Sequence, residues 1–180
     1  SWTTVGIVQS EPAVKDQERA DFLQALAVHR SFLRRTARGL SNEQAGQRTT
    51  VSALCIGGLI KHVTRVERIW ADFIAHGPGA RGPHDQAAME AHAAGFRMQE
   101  GETLEGLLQR YEETTKRTDE LVVTLPSLDD SHPLPKAPWF EPGARWSARR
   151  VLTHIIAETA QHAGHADIIR ESLDGAKTMG

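Results

Sequence analysis

The chain has 180 residues, 39% of them hydrophobic and 24% charged, which is long enough to bury one core and tight for two. Lys and Arg total 21 against 23 Asp and Glu, a net charge of −2, so no global charge draws the protein to nucleic acid or an anionic membrane. One cysteine excludes an internal disulfide, and the opening Ser1-Trp2-Thr3-Thr4 has no basic stretch leading into an apolar core; a cytoplasmic protein of one domain over residues 1–180 is expected.

Four segments carry helical periodicity. The first runs from about Val14 to Arg38, with Phe22, Leu23, Leu26, Phe32 and Leu33 at helical spacing and Gly39 as its stop. The second runs from about Ser52 to Ala75, carries Leu59, Val63, Val66, Trp70, Phe73 and Ile74, and ends at His76-Gly77-Pro78-Gly79. A long connection from Gly77 to Gly101 follows, with room for a short helix over Asp85 to Ala94. The third helix is expected from about Thr103 to Leu125, where Pro126 stops it. A proline-rich connection from Pro126 to Arg145 holds Trp139 and Phe140, either as a hydrophobic plug or as the cover of a pocket. The fourth helix runs from about Ser147, its N-cap, to Leu173, with Gly175 as its stop. No strand pattern stands out. Four helices of matched length predict an all-α four-helix bundle, with a long crossover that lets the second and third helices run parallel.

The polar residues on the apolar faces are the informative ones. At about 100° per residue from Val151, the residues Val151, Leu152, Ile155, Ala166, Ile169 and Leu173 form one stripe. His162 falls within it at about 20°, Glu158 on its edge at about 340°, and His165 and His154 on the flank at about 320° and 300°. On the second helix, counted from Val51, His62 falls at about 20°, between Ile69 and Cys55 on the apolar face. Glu158 and His162 stand four residues apart, so their heads meet, and His62 can reach the same point from a neighbouring helix. Two imidazoles and one carboxylate form a ligand set for a divalent metal with positions left open. Without metal, the same residues can form a hydrogen-bonded core pair, or Glu158 can bond Arg34 or Arg35.

His165 stands beside this set, as a supporting or proton-carrying residue or as a histidine of the bundle rim. His154 lies two turns, about 12 Å, from His162 and reads as structural. His29, His76, His84, His92 and His132 read as surface, and Arg34, Arg35, Arg38, Arg149 and Arg150 as a solvated face. Cys55 reads as core, about 10 Å along the helix from His62. The chain therefore shows no activated nucleophile of its own.

The helix that follows Trp146, with Val151-Leu152-Thr153-His154-Ile155-Ile156-Ala157-Glu158-Thr159-Ala160-Gln161-His162-Ala163-Gly164-His165-Ala166-Asp167-Ile168-Ile169-Arg170-Glu171, resembles the last helix of the actinobacterial mini-circle proteins, members of the DinB-like superfamily. The resemblance spans nearly the whole chain. It implies a four-helix bundle with a long crossover, a homodimer, and a divalent metal, zinc or nickel, held by His62, Glu158 and His162. The set with a glutamate resembles that of mycothiol-dependent maleylpyruvate isomerase, and the superfamily includes transferases that join low-molecular-weight thiols to electrophiles.

The expected function is a metal-dependent enzyme that activates a thiol of the mycothiol type for transfer to, or isomerisation of, a small electrophile. A metal-dependent hydrolase and a non-catalytic, stress-related metal-binding protein are the alternatives, and a bundle without metal is the plainest one. A small molecule is the expected partner; nucleic acid and membrane are not.

Overall fold

The computed structural model describes residues 16–79 and 85–179. Its elements are α1 (Gln17–Thr36), α2 (Asn42–Gly46), α3 (Ile56–His76), α4 (Gln86–Ala94), α5 (Leu104–Thr124), β1 (Ser131–Pro133), β2 (Arg145–Ser147) and α6 (Ala148–Asp174). The four long helices start where side chains satisfy the first free amides. Asp16 accepts from Arg19 N, Cys55 Sγ from Gly58 N, Thr103 from Gly106 N and Ser147 from Arg150 N. α6 stops at Gly175, where φ is 78° and a side chain would be strained.

The expected helices are present, with local differences. α3 begins at Ile56, not near Ser52. The hydroxyls of Thr50 and Ser52 accept from the amides of Ser52 and Leu54, which holds this stretch in turns. Val51, the origin from which the helical angles were counted, is outside the helix and fully exposed. The single-turn α2 has a capping box between Ser41 and Gln44 but is too short to show periodicity. The proline-rich connection is closed by a strand pair that the sequence did not suggest: Ser131 to Pro133, within it, pair antiparallel with Ser147 to Arg145 at its end. Three residues per strand are too few for an alternation to register. Val14, at the expected start of the first helix, and His84 lie outside the described residues.

Ion pairs reveal how the helices run. Glu18 pairs with Arg149, and Arg170 donates to the carbonyls of Thr36 and Arg38 at the end of α1, so α1 and α6 are parallel. Lys61 pairs with Glu102 and Asp72 with Arg117, so α3 and α5 are also parallel, as the long crossover requires. The two pairs oppose each other: Arg30 meets Asp119 and Arg34 meets Glu112. This is the all-α bundle that the sequence predicts. One part of its core gathers Leu33, Ile60, Val63, Tyr111, Ala163 and Ala166; the other gathers Leu26, Trp70, Val122, Val151, Leu152 and Ile155.

Candidate metal centre

α3 and α6 are antiparallel neighbours, and that brings His62 of one opposite Glu158 and His162 of the other. His62 Nε2 lies 3.7 Å and His162 Nε2 lies 3.3 Å from Glu158 Oε2. One ligand atom from each of the three residues can be chosen so that all lie within 4.8 Å of one another. Bonds of about 2.1 Å to a tetrahedral ion put neighbouring donor atoms about 3.4 Å apart, so the spacing fits a divalent cation. The His62 side chain is 9% exposed, His162 13% and Glu158 28%. The hydrogen bonds from His162 and then His62 outweigh the burial of Glu158 and hold its carboxyl far below the usual carboxylate range. The carboxylate is thus charged and ligand-competent.

The cluster extends beyond these three. His162 Nδ1 faces His165 Nδ1 at 3.3 Å, so the ring nitrogen turned away from Glu158 has a partner that can fix its tautomer. His154 Nε2 lies 3.6 Å from the other carboxylate oxygen, Oε1. Its ring rests against Trp70 and Trp146, and burial pushes its pKa down. His154, read from the sequence as structural, thus contacts the shared carboxylate.

Two surface assignments change in meaning. His92 is exposed, but its ring meets the edge of His62 at 5.9 Å, and burial followed by the charges of His62 and Arg65 pushes its pKa down. Phe96, just beyond α4, stacks on His62 at 4.0 Å with an interplanar angle of 22°. The sequence shows no sign of either contact, because neither residue lies on a periodic face. His132 is half-buried: Nε2 lies 3.2 Å from the Ile74 carbonyl, and the ring packs on Phe73. The expected solvated arginines are engaged as well. Arg34 pairs with Glu112 and Arg149 with Glu18 and Asp129, while Arg150 lies 3.9 Å over Trp146. The alternative partner Arg34 thus goes to Glu112.

Cys55 is buried at the N-cap of α3, where its sulfur is taken by the Gly58 amide. Phe140 packs on Trp146, which stacks on Trp70, so this residue plugs the aromatic cluster beside His154. An open cleft lined by Arg34, Arg38, Asn42, Leu104 and Leu108 shares no residue with the histidine cluster.

A bundle with parallel helix pairs, a long crossover, and a His-Glu-His set split between its second and last long helices defines a DinB-like protein. A family model for mycothiol S-transferases matches residues 21–175, and the chain belongs to that family. A crystal structure of a conserved protein from Enterococcus faecalis has the same fold, with a TM-score of 0.66 over 87% of this chain and 97% of that chain at 13% identity. No curated protein matches the chain. Among the described residues, no helix is long and apolar enough to cross a membrane.

Proposed function

We propose that this protein joins a low-molecular-weight thiol of the mycothiol type to a small electrophile, with His62, Glu158 and His162 holding one divalent cation. The observation that carries the reading is the convergence of these three donors from two helices, within 4.8 Å of one another. Family membership supports the thiol. Two imidazoles and a carboxylate suit zinc or nickel. When bound, such a cation lowers the pKa of a thiol delivered to it and so supplies the nucleophile at neutral pH.

The chain's own residues do the rest. Glu158 stays ionised and contributes the negative charge of the ligand set. Were His162 to hold the cation through Nε2, its Nδ1–H would donate to His165 Nδ1, which would keep the ring in the binding tautomer. His165, half-buried, is the proposed group for moving protons between this site and solvent. Cys55 takes no part as nucleophile, since its sulfur is buried in the α3 cap. The cytoplasmic location, the single domain and the homodimer expected from the sequence stand as proposals beside this one; light scattering on the purified protein tests the last.

The test is conjugate formation between mycothiol and a panel of small electrophiles, followed by mass spectrometry. Product is expected with metal-loaded protein and is expected to fall to background in His62→Ala and after chelation. Equal turnover in His62→Ala, or none across several thiols with the metal bound, would overturn the assignment.

A further inference from the structure

The two histidine ligands are held differently. His162 has His165 on its second ring nitrogen. For His62, no protein hydrogen bond to Nδ1 is present among the described residues; its ring is held by rings. Phe96 stacks on it at 4.0 Å, and His92 meets both, at 5.9 Å from His62 and 5.3 Å from Phe96.

The backbone of Phe96 is seated on the first turn of α3 by an unusually close approach. A Cβ at Gly58 would fall 1.7 Å from the Phe96 carbonyl oxygen and 3.1 Å from Arg97 N. The thiol of Cys55 donates to the same carbonyl at 3.8 Å. At the adjacent Gly57, a Cβ would meet Met98 Sδ at 2.3 Å. Two consecutive glycines in the first turn of a helix are less favourable than alanines, because each loses more backbone freedom on folding. Their place here is explained by the crossover segment, which can lie flush on α3 only where side chains are missing. That contact puts the Phe96 ring against His62, four residues further along the helix.

We propose that Phe96 is a positioning residue for the metal ligand His62, fixing the plane of its imidazole by stacking, and that Gly58 is the position that allows the crossover to deliver it. Metal-bound histidines are ordinarily oriented by a hydrogen bond to the second nitrogen; here an aromatic face does that work. The proposal rests on the reading of His62, Glu158 and His162 as a metal site.

Competition titration of Zn²⁺ into the stripped protein against a chromophoric chelator tests it, with the visible absorption of the Co²⁺ form as a second readout. Wild-type protein is expected to take up one equivalent. Phe96→Ala is expected to weaken binding about 10- to 100-fold, the usual effect of removing a residue that orients a ligand, and to shift the Co²⁺ spectrum. Phe96→Tyr, which keeps the stacking face, should restore both. Phe96→Leu, which keeps bulk without the face, should not, and it carries the test if the alanine variant unfolds. Gly58→Ala should weaken binding like Phe96→Ala, although alanine is the better helix former. One equivalent bound by wild type with unchanged affinity and spectrum in Phe96→Leu would overturn the positioning role alone. No uptake by wild type would overturn the metal site and this proposal with it.

Discussion

Arg30 and Glu67 show what a single residue can hide. Each sits on an apolar stripe, Arg30 between Leu26 and Leu33, Glu67 between Val63 and Trp70. In the bundle they pair, with side chains 3% and 1% exposed, and Arg30 also reaches Asp119 at 2.8 Å. Taking two charges out of water costs several kcal/mol each, so removing one partner is worse than removing both. Glu67→Ala is expected to lower the unfolding free energy by about 3–5 kcal/mol. Arg30→Met combined with Glu67→Leu should recover most of that loss. Urea denaturation of Glu67→Ala and of the double variant checks it; a double variant no more stable than Glu67→Ala would refute it. Neither charge was singled out from the sequence, and their meeting joins two helices that only packing brings together. The proposed ligand set is a contrasting case, because Glu158 and His162 are four residues apart on one helix and only His62 had to be supplied by packing.

At the scale of elements, the end of the crossover is tied to α3 beside the site. Glu102 accepts from Lys61 Nζ at 2.8 Å and from the amide of Gln99 at 2.7 Å. Burial pushes its carboxyl up, but these two hydrogen bonds outweigh it and hold the pKa below the usual range. A group with a lower pKa folded than unfolded contributes stability that is complete above its unfolded value and is lost as pH falls through the folded one. The melting-temperature gap between wild type and Glu102→Gln should therefore be widest near neutral pH and close below about pH 4. Circular-dichroism melts over that range decide it, a constant gap being the contrary result. The same scale accounts for the uneven legibility of the elements. Long helices announce themselves by repeated periods and capping residues, whereas α2 and the strands offer too few residues for either.

For the whole molecule, the His-Glu-His set joins α3 to α6, two helices separated by residues 77–147 of the chain. A ligand bound only by the native state stabilises it by RT ln(1 + [L]/Kd), about 2.7 kcal/mol at a hundredfold excess over Kd. For a chain of this size that corresponds to a rise of about 5–10 °C in melting temperature. Calorimetry of stripped protein with and without Zn²⁺ should show this rise. In His162→Ala the rise should be absent, while an equal rise there would place the cation elsewhere.

Composition, periodicity and helix-stop residues were enough to establish the helical bundle, its long crossover and the inward side chains at 62, 158 and 162. These are properties of single segments, set by local backbone preference and by which face of a helix is apolar. Tertiary structure alone decided that Phe96 and His92 come to rest on His62, that Arg30 finds Glu67, and that His154 touches the shared carboxylate. Those contacts join segments distant in sequence, and they depend on how closely the segments pack and how each helix is turned. Side-chain volume sets both, and at the crossover it is the missing side chains of Gly57 and Gly58 that let Met98 and Phe96 lie against α3.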